Sequence, residues 1–126
     1  MQINPHFMFN TLETISALAK RAGAEEIGLI SRKMAEILRY NIGVDCDTVN
    51  ISEEFNHIRS YLDIQKIRYN DRFEVFYDIS LKAEKCTVPK FILQPVVENI
   101  IRHAVTSEEE KYFISLSAKT EDGTLI

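Results

Sequence analysis

Two groups of polar residues in the sequence could carry chemistry, and the first is near its start. His6 follows Pro5 and lies one helical turn before Asn10, so the imidazole and the amide would share a face and act on one atom or water. A histidine between Phe7 and Phe9 is also typical of a helix start or a packed side chain. The residues alone leave both interpretations open.

The second group lies in the otherwise apolar stretch 94–103. Glu98 and Asn99 interrupt that stretch, and a polar group embedded in an apolar helix must hydrogen-bond or bind something, since leaving it unpaired costs roughly a few kcal/mol. An asparagine oxygen suits magnesium, and Arg102 and His103 could touch phosphates. A set of capping and inter-element hydrogen bonds is the alternative interpretation.

Two helices are predicted to position His6 and Asn10. Apolar residues recur every three or four positions from Ile3 to about Ala22 and again from about Ala24 to Tyr40, with Gly23 between the two runs. Such a short turn predicts an antiparallel hairpin. The apolar stripes consist of Met8, Leu12, Ile15, Ala19 and Ala22 in the first helix and Ile27, Ile30, Met34, Ile37 and Leu38 in the second.

A hairpin of two helices cannot cover both of these stripes well. A second copy could do so in a four-helix bundle, which predicts a homodimer. The alternative is that the hairpin packs on the rest of its own chain.

The remaining elements predict a second unit of α+β type. Residues 41–50 form a polar connector, and Asn50 with Glu53 predicts a capping box for a helix that ends near Tyr69. We expect its inward residues to be Ile51, Phe55, Ile58 and Leu62. Further predicted elements are a strand over 73–79, a helix from Pro89 to about Val105, a strand over 112–118, a turn at 121–123 and an unpartnered strand from Thr124, as in a cloned fragment.

Composition narrows the class of partner and the compartment. The formal net charge is −4, so we expect no nucleic-acid partner, although Lys90, Arg102 and His103 could form a positive corner for a nucleotide. Cys46 and Cys86 are far apart, which predicts neither a disulfide framework nor a zinc site. No run is apolar enough for a membrane span, so the chain itself is expected not to be membrane-inserted.

Four segments in this order resemble the LytS-like sensor histidine kinases of bacteria. Residues 2–10 resemble the phosphoacceptor box, 38–40 the end of the second helix, 61–69 the first helix of the ATPase domain, and 88–103 its N box. Together they span nearly the whole chain. The resemblance implies a dimerisation and phosphoacceptor hairpin over 1–43 and part of a GHKL (Bergerat-type) α/β sandwich over 50–126.

The same resemblance implies the roles of individual residues. His6 would be the phosphorylated residue, and Asn10 would align water for dephosphorylating the response regulator. Asn99 would ligate Mg²⁺, with Arg102 and His103 near the phosphates of ATP. Phe7 stands where many other histidine kinases keep an acidic residue, so the base is unassigned, and Glu13 is the nearest carboxylate on the same face.

The implied function is two-component signalling, with phosphate passing from ATP to His6 and then to a receiver domain of a response regulator, of the LytTR type. The implied location is the cytoplasmic portion of a membrane sensor. The family's glycine-rich boxes and ATP lid do not follow residue 103, so we expect weak ATP binding by this chain. A non-catalytic dimeric interaction module with a degenerate nucleotide site is the alternative, and an anti-sigma-type kinase is disfavoured because it lacks the histidine hairpin.

Overall fold

The computed structural model describes residues 4–43, 46–106 and 111–126. Within these ranges the chain is of α+β type, as predicted, with four helices and three pairs of strands. The helices are α1 (Pro5–Ala22), α2 (Glu25–Ile42), α3 (Ile51–Arg68) and α4 (Gln94–Thr106). The strands are β1 (Thr48–Asn50), β2 (Phe73–Ile79), β3 (Thr87–Pro89), β4 (Tyr112–Ala118), β5 (Thr120–Glu121) and β6 (Thr124–Leu125).

Helices α1 and α2 form the predicted hairpin, and both ends of α1 have local causes. The Asn4 side chain accepts hydrogen bonds from the backbone N–H groups of His6 and Phe7, at 3.1 and 3.4 Å, which satisfies donors that a helix start leaves unpaired. Gly23 ends the helix at φ 70°, a left-handed conformation that glycine adopts without a steric penalty. The chain then reverses directly into α2.

Small side chains form the contact between these two helices. Ala19, Gly28, Ser31 and Ala35 are buried, and a Cβ added at Gly28 would lie 3.7 Å from the Cβ of Ala19. Small residues allow the two backbones to approach closely. The larger residues of the predicted stripes are covered only in part, since Ile15, Ile27 and Met34 are exposed. Ala22 is exposed as well.

Helix α2 also packs along α3. The hydroxyl of Ser60 donates a hydrogen bond to Glu36 at 2.7 Å, and the ammonium group of Lys33 lies 3.5 Å from the carboxylate of Asp63. The hairpin therefore has a partner in its own chain, which is the alternative that the sequence left open. This contact leaves several large apolar residues of the hairpin exposed, among them Leu18 and Ile27.

Both predicted features of α3 are confirmed. The Glu53 carboxylate accepts from the backbone N–H of Asn50 at 3.0 Å, completing a capping box. Asn70 and Asp71, both with positive φ, follow the end of the helix. The inward residues Ile51, Phe55, Ile58 and Leu62 are all buried.

The predicted strands β2 and β4 pair in parallel, from Phe73 opposite Tyr112 to Ile79 opposite Ala118. Helices α3 and α4 both pack on the inner face of this pair, where Ile58, Leu62, Phe73, Val97, Ile101 and Ile114 form one core cluster. A second cluster lies beside it and consists of Ile51, Phe55, Ala83, Val88 and Ala118. Helix α4 is buried on one side only, since Val96 is 57% exposed.

Three predicted elements need correction. The connector predicted over 41–50 is shorter, because α2 continues to Ile42 and residues 48–50 form β1; residues 44 and 45 lie outside the described ranges. Pro89 ends β3, which pairs antiparallel with β1, and does not begin a helix. A helix starting there would need a right-handed Phe91, which instead has φ 66°.

The last strand also differs from the prediction. The strand from Thr124 was expected to lack a partner, but β6 pairs antiparallel with β5. Asp122 and Gly123, at φ 49° and 78°, form the two-residue turn between them, as expected for a hairpin of this length. Gly123 is thus a turn glycine, as the sequence indicated.

Candidate functional site

His6 lies in the first turn of α1 and is exposed. Its Nδ1 atom is 3.4 Å from the amide nitrogen of Asn10, one turn along the helix. The structure thus brings the imidazole and the amide together on one face, as the spacing predicted. The packed-histidine interpretation does not describe this side chain.

The surroundings of His6 on α1 are open. Glu13 is exposed, and its position seven residues on places it on the same side of the helix. Phe7 is 68% exposed, and the Phe9 ring lies 5.3 Å from the guanidinium of Arg39 on α2. An acceptor in this position can be reached from solvent by a second domain or protein.

The second group of candidate residues lies on α4, and all four of them are exposed. The expectation that Glu98 and Asn99 are embedded in apolar surroundings is wrong, because both lie away from the side of α4 that buries Val97, Ile101 and Ala104. Glu98 accepts a hydrogen bond from Gln94 at 2.9 Å. Asn99 and His103 lie one turn apart on the outer side of the helix.

Arg102 lies toward α3. With Glu98 it lines a surface depression of about 260 Å³, whose other lining residues are Tyr61, Gln65, Arg68, Tyr69, Ile101 and Val105. Burial, and then the negative charge of Glu98, raise the pKa of Tyr61, while the positive charges of Arg68 and Arg102 oppose this. This volume lies just below the usual range of ligand pockets, about 300–1,000 Å³.

The donor set on α4 fits a magnesium-bound phosphate group. The Asn99 amide offers a hard oxygen, and Mg²⁺ usually takes its other oxygens from water and phosphate. Within the described residues no cluster of His, Cys, Asp and Glu could hold a metal ion by protein ligands alone. Arg102 and His103, one turn on, can supply positive charge and hydrogen-bond donors.

Sequence reasoning missed a buried polar cluster between α2, α3 and the segment before α4. Glu54 has an exposed fraction of 0%. Its carboxylate accepts hydrogen bonds from the hydroxyl of Tyr40 and from the backbone N–H of Phe91, the latter at 2.7 Å. The available signal was a charged residue on the apolar stripe of α3, three residues after Ile51 and four before Ile58.

An aromatic stack accompanies this carboxylate. The rings of Tyr40 and His57 are stacked with centroids 4.3 Å apart, and Phe91 meets both edge to face. Lys90 Nζ lies 4.7 Å from the centre of the Tyr40 ring. Burial, and then the hydrogen bond to Glu54, raise the pKa of Tyr40 well above its ordinary value, so its hydroxyl remains a donor.

Comparison with known proteins shows the family to which this chain belongs. The family model described as "Histidine kinase" matches residues 1–73, which contain His6, the whole hairpin and α3. The chain therefore belongs to the histidine kinase family. Its relatives place it more narrowly among the LytS-like sensor histidine kinases, the family that its four sequence segments resemble.

Three of these relatives illustrate the match. The chain is 37% identical over 97% of its length to the sensor histidine kinase YesM of Bacillus subtilis. It is 32% identical over 95% of its length to the sensor histidine kinase BtsS of Escherichia coli, and 35% identical over 99% to the sensor protein LytS of Staphylococcus saprophyticus. In each case it spans 21% of the relative's length.

In the described part of this chain, none of the helices is both long and apolar enough to cross a membrane.

Proposed function

We propose that this chain presents the phosphoacceptor of an ATP-dependent sensor histidine kinase, and that His6 is that acceptor. The observation that carries the proposal is the exposed His6 imidazole in the first turn of α1, held by Asn10 at 3.4 Å. His6 would receive the γ-phosphoryl group of ATP and pass it to an aspartate of a response regulator.

The chemistry requires little of the protein beyond positioning. A neutral imidazole nitrogen is a competent nucleophile near pH 7. As the bond from nitrogen to phosphorus forms, the bond to the leaving ADP oxygen breaks, and the proton on the other ring nitrogen passes to solvent water. A half-turn of the Asn10 amide lets its oxygen accept from Nδ1–H, which places the ring's lone pair on Nε2.

We assign the exposed residues of α4 to the nucleotide. ATP with Mg²⁺ would supply the phosphoryl group, with Asn99 offering its oxygen to the metal ion and Arg102 and His103 meeting the phosphates. The packing of α3 and α4 on one face of the parallel β2–β4 pair supports the view that residues 50–126 belong to a GHKL-type ATPase domain.

We further propose that the hairpin over 1–43 dimerises as a four-helix bundle. The exposed apolar side chains of both helices support this, with Leu18 54% and Ile27 53% exposed, because burying exposed apolar side chains against a partner is favourable. The relatives' description as sensors supports a location on the cytoplasmic side of a membrane protein. The regulator would be one of the LytTR type.

Phosphorylation in trans tests the role of His6. A complete kinase domain of this class, lacking its own phosphoacceptor, is mixed with this chain and radiolabelled ATP. We expect acid-labile, alkali-stable label on wild type and none on His6→Gln. His103→Gln, a matched change at another exposed histidine, should keep the label, because the donor kinase supplies the nucleotide site in this assay. A folded chain without label, beside a donor active on its native acceptor, would favour the interaction-module alternative.

Asn10→Ala separates two activities in the same assay. We expect label on His6 to persist, while dephosphorylation of the phosphorylated regulator is lost, because the amide would align the attacking water. Equal loss of both activities would show that Asn10 acts on the His6 step itself.

A further inference from the structure

Glu54 connects three parts of the chain through one buried carboxylate. Its Oε1 atom accepts from the Tyr40 hydroxyl, in the last turns of α2, and from the backbone N–H of Phe91. Its Oε2 atom accepts from the backbone N–H of Leu93 at 3.4 Å. A single side chain of α3 therefore holds both the end of the hairpin and the segment that leads into α4.

Such a carboxylate tolerates few arrangements. A buried charge is stable only when hydrogen bonds satisfy it, and hydrogen bonds to an ionised group are stronger and more directional than neutral ones. The nearby cation, Lys90, is held over the rings of Tyr40 and Phe91 at 4.7 and 5.3 Å. If Tyr40 moves away, Glu54 loses the only side chain among its three donors, Tyr40, Phe91 and Leu93, in the described part of the chain.

The aromatic stack provides a second connection between the same elements. The His57 ring stacks on Tyr40, and its Nε2 atom is 2.5 Å from the side-chain oxygen of Gln94. Gln94 is the first residue of α4. Displacement of the Tyr40 ring would therefore disturb α4 at its first turn as well as at the preceding loop.

We infer that Glu54 is a positioning residue that couples the end of α2 to the 90–93 segment and hence to α4. This rests on the proposed function, in which the hairpin carries the acceptor and α4 carries the nucleotide contacts Asn99, Arg102 and His103. A change in the hairpin that pulls Tyr40 from Glu54 releases the start of α4. A change at α4 reaches the hairpin by the same bonds, since coupling between sites is reciprocal.

The test measures amide hydrogen exchange by NMR in the whole chain. Tyr40→Phe removes the hydroxyl and keeps the ring. We expect exchange at Phe91 and Leu93 to become about two- to thirtyfold faster, which corresponds to the usual range of energetic coupling between connected sites. Amides of the β2–β4 pair should keep their rates, which general destabilisation would not allow.

Tyr112→Phe is the matched control. The Tyr112 hydroxyl is buried and has no hydrogen-bond partner in the described part of the chain, so its removal should leave the exchange of Phe91 and Leu93 unchanged. If the exchange rates of Phe91 and Leu93 were unchanged in Tyr40→Phe as well, the inference would be overturned, because Glu54 would then hold the 90–93 segment independently of the end of α2.

Glu54→Gln gives a second and more selective readout. Its remaining oxygen can keep the bonds to Tyr40 and Phe91, while its amide group would face the N–H of Leu93, so we expect faster exchange at Leu93 alone. Equal effects on Phe91 and Leu93 would contradict the assignment of the two oxygens.

Labelling of His6 by the trans donor separates this inference from the proposed function. It should be unchanged in Tyr40→Phe and Glu54→Gln. Failure of the labelling in wild type would count against the proposed function, whereas the exchange rates alone decide the coupling.

Discussion

The helical hairpin and the α/β half of this chain are stabilised in different ways. In the described part of the hairpin, the buried apolar residues are Ala19 and Ala35, and large side chains such as Leu18 and Ile27 are exposed. The α/β half instead buries large residues, among them Phe73 and Leu62 at 0% and 1% exposure. The α/β half therefore has a core of its own, whereas the hairpin has two helices in contact through small residues and exposed apolar side chains.

This difference indicates where each half can respond to a signal. Close-packed cores resist displacement, because a change in side-chain volume of even one methylene group lowers their stability. A hairpin with small residues between its helices and polar contacts to α3 can be repositioned at lower cost. The acceptor His6 lies on this hairpin, and the proposed nucleotide residues lie on the half with the core.

The largest expected effect is in the α/β core. Phe73→Ala removes a ring that is 0% exposed and should lower the free energy of unfolding by about 3–5 kcal/mol. Phe76→Ala, three residues on in β2 and 57% exposed, is the control and should cost about 1 kcal/mol or less. Urea unfolding followed by circular dichroism measures both, and equal losses would show that the core is misassigned.

The exposed face of the hairpin should matter for association more than for folding. Replacing both Leu18 and Ile27 by Lys should raise the dimer dissociation constant at least about tenfold, a cost of about 1.4 kcal/mol, by placing charge in the proposed interface. Leu81→Lys, at a site 82% exposed in the α/β half, should leave it unchanged. Analytical ultracentrifugation provides the constants, and a monomeric wild type would refute the bundle.

The smallest effects concern two glycines of the hairpin, with opposite signs. Gly23→Ala should cost about 1–2 kcal/mol, because φ 70° is strained for alanine although no atom lies within 4 Å of the added Cβ. Gly28→Ala should stabilise by up to about 1 kcal/mol through helix propensity, since the nearest contact is the flexible end of Arg32 at 3.2 Å. Thermal unfolding of both variants measures this, and a destabilising Gly28→Ala would show that the helices approach more closely than described.

Local pattern predicted most of the elements and the first part of the site. The hairpin with its turn at Gly23, the Asn50 and Glu53 capping box, and strands β2 and β4 follow from periodicities and capping signals within a few residues of sequence. The shared face of His6 and Asn10 follows from the same helical spacing. The sequence also placed Glu98, Asn99, Arg102 and His103 on one helix, which α4 confirms, but it expected Glu98 and Asn99 in apolar surroundings, and both are exposed.

Contacts between distant residues decided the rest. Pro89 fits a helix start and a strand end equally well in sequence, and its pairing in β3 with Thr48 on β1 selects the strand. Small residues at 19, 28, 31 and 35 gain importance only when the two helices meet. In sequence, Glu54 is a charged residue on an apolar stripe. Its role is visible only in the tertiary structure, because the donors that satisfy its buried carboxylate, Tyr40, Phe91 and Leu93, are distant in sequence.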